Sequence, residues 1–355
     1  MKTYEMFKEE IKERVFHILS QTGEVERIEL DSVLKNNNQN LDVLRIFCNG
    51  SHITPNIYLN DYFRDYQDGE TLDDIAQQIV FTYQKNKDIN FEIPNFSDFS
   101  CLKNSIFPKI INYEQNKEFL KDKPYTLVQD MAVIYQIKIY EDNVHTKSND
   151  IGVVIISNKL VDIWQKESQY LDISKTLHSI SLENMKEQNP PNIKSMIEVF
   201  VKDFGLTLDE IAKQYGMDID KLQSEPQQYV LTNQNKINGA TVILDNDFMQ
   251  EVAEKIGGDF YIIPSSIHEL IAQPIEGNQM SIEEINDMIK QVNATQVAIE
   301  EVLSNNAYAY DSINKEIYIA GQDRISELKK EFSLPSKGAP AKKAQQTERK
   351  VACAR

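Results

Sequence analysis

Pro264-Ser265-Ser266-Ile267-His268-Glu269 gathers two hydroxyls, an imidazole and a carboxylate within six positions. Those groups suit hydrolysis or group transfer: Ser266 would attack, His268 would act as its base, and Glu269 is the carboxylate beside them. The chemistry needs the base within about 3 Å of the hydroxyl and a third group to orient it, which adjacency in sequence does not supply. No glycine run that could form an oxyanion hole lies nearby. The plainer reading takes the segment as a tight turn, with Ser265 and Ser266 as caps and His268 and Glu269 bonded to local backbone. A turn of this kind can also present polar groups, Ser265 among them, to a binding partner.

Other polar clusters invite the same comparison. In Asn112-Tyr113-Glu114-Gln115-Asn116-Lys117, the residues Asn112, Glu114 and Asn116 could line a cleft. The ordinary reading is a strand-to-helix junction with Asn112 as N-cap. Asp245-Asn246-Asp247 lacks the alternating oxygen ligands and later Glu of a calcium loop, so helix capping is expected. Tyr308 and Tyr310 flank Ala309 as a strand face or, alternatively, an aromatic contact patch, since tyrosines favour interfaces. Gly257-Gly258 is expected to end a helix in a left-handed conformation.

Several chemistries are excluded. The five histidines (His17, His52, His145, His178 and His268) form no H-E-x-x-H, and the chain has no phosphate-loop, dinucleotide-binding or nucleophile-elbow motif. The three cysteines, Cys48, Cys101 and Cys353, are widely spaced, which argues against a zinc ribbon or disulfide framework and for reduced thiols. No metal site and no cofactor are expected.

The elements around these groups read as an α+β protein with mixed or antiparallel sheets and covering helices, in two units. The first unit, about 1–90, is helix, three strands and helix: Tyr4–Leu19, then Val25–Val33, Leu41–Phe47 and His52–Leu59, then a helix capped by Thr71. Asn36–Asn40 makes a polar turn, because asparagine tolerates positive φ. Residues 87–104 read as linker. The larger unit, about 105–334, opens with a strand at Ile106–Ile111 and a long one at Asp130–Tyr140, which has Met131, Val133, Tyr135, Ile137 and Ile139 on one face. A charged loop (141–150), a returning strand and two helices follow, the first capped by Ser157.

A helical insertion is expected over about 193–225. Its Thr207, Ala212 and Gly216 imitate a helix-turn-helix, but Asp218, Asp220 and Glu225 in the would-be reading helix would repel phosphates. Strands are then expected at Tyr229–Thr232, Ala240–Leu244, Asp259–Ile263 and Glu269–Pro274, with helices from Asp245, from Ser281 (capping box with Glu284) and over Thr295–Leu303. A hairpin at Ala307–Ile319 closes the body. Residues 335–355 carry six basic groups against Glu348 and read as a disordered basic tail.

The runs Tyr229-Val230-Leu231-Thr232-Asn233, Gly239–Leu244, Ala253–Glu269 and Val292–Ser304, with Ile53–Leu59 and Phe107–Lys117, resemble a clostridial domain family of unknown function recurrent in gut Firmicutes. The resemblance spans nearly the whole chain except the tail, and it implies a fold and no activity.

The chain has 355 residues and a formal net charge of −17, of which the tail contributes +5, leaving the body at −22. That balance disfavours direct DNA or RNA binding. No apolar run approaches the roughly 18 residues of a membrane span, and the charged N-terminus has no secretory pattern. These features lead to the expectation of a cytoplasmic, non-enzymatic protein-binding or adaptor module. The alternatives are a hydrolase or transferase built on Ser266 and His268, and an acidic mimic of nucleic acid that occupies a basic groove.

Overall fold

Phe7, Ile11, Val15 and Leu19 recur every four positions, and in the computed structural model this stripe is buried along helix α1 (Tyr4–Ser20), which Thr3 caps. The structure describes residues 2–21, 23, 25–48, 55–86, 94–140, 150–167, 172–205, 207, 210, 213 and 228–322. The expectations for the 141–149 loop, for Ala212, Gly216 and Asp218–Glu225, and for the 335–355 tail lie outside them.

Strand β1 (Val25–Lys35) turns through Asn36–Asn38 into antiparallel β2 (Gln39–Cys48). Asn37 and Asn38 sit at φ +56° and +58°, where asparagine is tolerated. Of the expected third strand, residues 52–54 lie outside the described residues, Pro55 and Asn56 are not strand, β3 is Ile57–Tyr58, and helix α2 (Leu59–Gln67) begins at Leu59. Its Phe63 and Tyr66 rings pack on Phe7, at 5.2 and 5.6 Å between centroids, which favours helical over alternating spacing here. Helix α3 (Leu72–Asn86) completes this cluster, with Ile75 and Ile79 against Ile11 and Leu44. The stretch expected to be linker contains helix α4 (Phe99–Leu102), because Asp98 caps it and Phe99 and Leu102 are buried.

Strand β6 (Met131–Tyr140) is central to a four-stranded antiparallel sheet. One edge pairs with β4 (Ile106–Asn112), which the short helix α5 (Lys117–Leu120) follows, and the other with β5 (Tyr125–Val128) and then β7 (Asp150–Ile155). Met131, Val133, Tyr135 and Ile137 point into the main core, while Ala132 and Ile134 face the opposite side. Helices α6 (Asn158–Glu167) and α7 (Ile173–Gln188) pack on that core through Trp164 and Leu177.

Residues 193–195, expected to be helical, belong instead to β8 (Pro191–Ser195), which pairs with β9 (Tyr229–Asn233). Only at Ser195 does a capping box with Glu198 start helix α8 (Met196–Phe204). The expected strand at 240–244 is a buried 3-10 helix, Gly239–Leu244. A Cβ on Gly239 would lie 2.0 Å from Thr232 Oγ1 and 2.3 Å from the His268 carbonyl, so close backbone approach replaces strand pairing. Helix α9 (Asn246–Ile256) is capped by Asp245 and ends at Gly257, φ +93°.

Strands β10 (Phe260–Pro264), β11 (Leu270–Pro274), β12 (Tyr308–Asp311) and β13 (Glu316–Ile319) complete an antiparallel sheet ordered β13-β12-β10-β11-β9-β8. Helix α10 (Ile282–Thr295), started by the Ser281–Glu284 capping box, covers its outer face through Ile285 and Ile289. The expected 295–303 helix shrinks to a 3-10 turn at Ile299–Glu301. The carbonyls of Ile299, Glu300, Val302 and Leu303 instead accept side-chain amides from distant residues. The main core lies between the two larger sheets and joins Ile110, Val133 and Tyr135 to Leu231, Phe260 and Tyr308. The fold is α+β with antiparallel sheets. Among the described residues no helix is long and apolar enough to cross a membrane.

Candidate functional site

The turn between β10 and β11 carries the groups with most chemical promise. Ser265 Oγ donates to Glu269 Oε1 at 3.1 Å, so those two side chains are brought together. Ser266 and His268 are not. The Ser266 hydroxyl accepts the His268 backbone N–H at 3.0 Å, and Ser266 N–H donates to the Glu269 carbonyl at 3.2 Å. This is a serine turn, in which the hydroxyl closes its own loop.

The imidazole is used elsewhere. His268 Nδ1 accepts Asn238 N–H at 3.0 Å, which leaves the proton on Nε2, 3.3 Å from Glu301 Oε1. The backbone is pinned as well: Thr232 Oγ1 donates to the His268 carbonyl at 2.8 Å, and Ile267 N–H to the Glu301 carbonyl at 2.9 Å. Glu301 is also the opposing charge for Lys109 of β4, whose ammonium is held below the ordinary lysine range by burial and then by Lys35. Asn238, Glu301 and Lys109 were not legible as neighbours of this turn, because they come from three separate stretches of chain.

The asparagines after β4 are buried. Asn112 Nδ2 donates to the Leu303 carbonyl at 3.0 Å, and its Oδ1 accepts Gln115 N–H at 2.9 Å, a capping role for the short turn that follows. Asn116 Nδ2 donates to the Asn112 carbonyl at 2.7 Å, and its remaining valences go to Asn37. Asn37 in turn donates through Nδ2 to the carbonyls of Ile299 and Val302, both at 2.7 Å. Glu114 stands apart on the surface, 2.7 Å from Lys117.

Tyr308 and Tyr310 are fully buried, so the exposed aromatic patch does not form. Tyr308 donates to Asp130, whose other oxygen accepts Ser304 Oγ at 2.8 Å and Asn306 Nδ2 at 3.0 Å. Burial, and then the Asp130 carboxylate, push the Tyr308 phenol well above its ordinary range. Tyr310 donates to Gln250 Oε1 at 3.3 Å. The signal that could have indicated this burial is the short Tyr-Ala-Tyr alternation inside a central strand.

Asp245 caps α9 and, with Asp247, flanks Lys186 at 2.7 and 3.1 Å. Among the described residues no three His, Cys, Asp or Glu side chains converge on a metal position. One open surface groove has Tyr62, Asp74 and Phe81 in its lining and another has Tyr229, Gly257 and Glu276; neither of these includes a residue of the 264–269 turn. The arrangement can hold backbone segments in place and can present Glu269, His268 and Glu301 at a surface, but among the described residues no side-chain base is bonded to the Ser266 hydroxyl.

A family model described as "Family of unknown function (DUF5688)" matches residues 4–312. No curated protein and no solved structure matches the chain.

Proposed function

Because the chain belongs to DUF5688, a family of unknown function, we propose a role read from its side chains: a protein-binding or adaptor module without catalytic chemistry. The observation that carries this reading is the engagement of Ser266 and His268 with backbone and with Glu301 in place of each other. A nucleophile without its base gains no activation. Asn112, Asn116, Tyr308 and Tyr310 likewise spend their polar atoms inside the protein. What remains for an encounter is surface, and several large apolar side chains occupy it, Phe81 and Leu127 among them.

The acid excess supports a protein partner over DNA or RNA. The free thiols of Cys48 and Cys101 support a cytoplasmic setting. The test is affinity capture from the native lysate with the wild-type chain and with Ser266→Ala. The same discrete partner should be retained by both proteins. A partner or a measurable turnover that disappears with Ser266→Ala would overturn the reading.

A further inference from the structure

Helix α3 has two faces. Leu72, Ile75, Ile79 and Tyr83 are buried against α1 and β2. Asp74, Gln77, Gln78, Phe81 and Thr82 fall at i, i+3, i+4, i+7 and i+8, so they form one stripe on the side away from that core. With Tyr62 of α2 and Glu70 of the intervening turn, this stripe lines an open groove. Tyr62 OH lies 3.3 Å from Thr82 Oγ1, and Gln78 Nε2 donates to Glu70 Oε2 at 2.9 Å, which ties both helices and their turn into one surface. Phe81 is 69% exposed within it. An aromatic ring left in water beside a bonded polar lining is what a docking surface offers before its partner arrives.

The charge around the groove has one sign. From Leu59 to Asn86, the full span of α2, the turn and α3, six carboxylates stand against two cations, Arg64 and Lys85. Helix α1 adds four carboxylates and three cations, so counting the neighbouring helix does not reverse the balance. Ion pairs do not neutralise it either. Arg64 pairs with Asp61, and Arg14 of α1 with Asp73, but Asp65, Asp68, Glu70 and Asp74 have no ion-pair partner among the described residues. Among those residues no lysine, arginine or histidine lines the groove. The complementary ligand is a cationic segment with a large apolar side chain: the apolar group covers Phe81, while ammonium or guanidinium groups reach Glu70 and Asp74 or lie over the ring. Phosphate-bearing ligands are repelled by the same carboxylates.

We propose that the α2–α3 groove docks a lysine- or arginine-rich segment of a partner protein, held by an apolar side chain on Phe81. This rests on the protein-binding reading above and names its surface and the charge of its partner.

The experiment is selection of displayed random 12-residue peptides on the immobilised full-length chain, followed by anisotropy with the enriched peptide. The expected consensus is rich in Lys and Arg and keeps at least one large apolar residue. Phe81→Ala should weaken the enriched peptide by at least about tenfold, as expected for an interface anchor. Glu70→Gln combined with Asp74→Asn should also weaken it and flatten its dependence on salt, while Leu127→Asp should leave it unchanged. Circular dichroism of each variant checks the fold. Three results would overturn the proposal: an acidic consensus, affinity unchanged in folded Phe81→Ala, or a scrambled peptide of the same composition binding as tightly, which would reduce the contact to diffuse charge attraction. A peptide that binds Phe81→Ala as it binds wild type and is lost only in Leu127→Asp would overturn this surface and leave the adaptor reading standing, whereas no enrichment at all would count against both.

Discussion

Asn37 and Asn116 clasp each other through one complete amide. Asn116 Oδ1 accepts Asn37 N–H at 2.9 Å, while Asn116 Nδ2 donates to Asn37 Oδ1 at 2.8 Å. Both residues are buried, so each bond satisfies a group that has no access to water. Removing the Asn116 side chain takes these partners from both the Asn37 N–H and Asn37 Oδ1, whereas removing the Asn37 side chain breaks only the bond from Asn116 Nδ2.

Asn116→Ala is accordingly expected to cost about 2 kcal/mol of unfolding free energy, close to the penalty for buried donors and acceptors left without partners. A double-mutant cycle with Asn37→Ala, read by urea denaturation, should give a coupling of about 1 kcal/mol or more. Additive costs would show that the clasp is not a stabilising contact.

Gly239→Ala tests the close approach of three backbone segments. The new methyl would fall within 2.3 Å of both Thr232 Oγ1 and the His268 carbonyl, and backbone on one side cannot give way as a flexible side chain can. The expected loss is about 1–3 kcal/mol, the range for overpacking. Thermal melting would reveal it, and a melting temperature equal to wild type would rule out the clash.

Lys109 gives a pH-dependent outcome. Its folded-state pKa lies below the unfolded value, with burial the main cause and Lys35 the second. The charged form is therefore penalised by folding, most fully at pH values below the folded pKa, and the penalty fades as pH rises toward the ordinary lysine value near 10.4. Lys109→Met should melt above wild type at pH 7, with the gap narrowing as the pH increases. A gap independent of pH would assign the gain to packing alone.

Tyr308 has the opposite dependence. Its phenol stays protonated in the folded state well beyond the unfolded value near 10, so the contribution is present below that pH and is lost as pH rises above it. Tyr308→Phe should cost about 1–2 kcal/mol near neutrality through the lost bond to Asp130. That cost should shrink above pH 10, as measured by denaturation at both pH values.

Local signals carried much of the secondary structure. Thr71, Ser157, Asp245 and Ser281, expected as caps, each accept a backbone N–H of the helix turn that follows, and such a side chain acts within three or four residues, so sequence displays it. The caps at Asp98 and Ser195 are less legible, because their stretches read as linker and as helix interior. The long-range settings were illegible for the complementary reason. Asn36-Asn37-Asn38 reads correctly as a turn through its φ angles, yet nothing near it indicates that the side chains point inward to carbonyls at 299–302. The segment 240–244 is as apolar as a strand, yet it forms a 3-10 helix whose first residue, Gly239, lies close against Thr232 and His268, a long-range setting that its own residues do not display. The Ser266–His268 pairing was suggested by residue types two positions apart, but the partner of the imidazole is Glu301, from beyond helix α10.

The hairpin tip at Asn36 and Asn37 also constrains the order of events during synthesis. Its carbonyl partners at Glu300 and Val302 follow 264 and 265 residues later. At about 5–20 residues per second, translation leaves the two amides waiting roughly 10–50 s. Until then the tip must remain solvated, and a ribosome stalled before Val302 would hold a nascent chain whose first hairpin cannot finish docking.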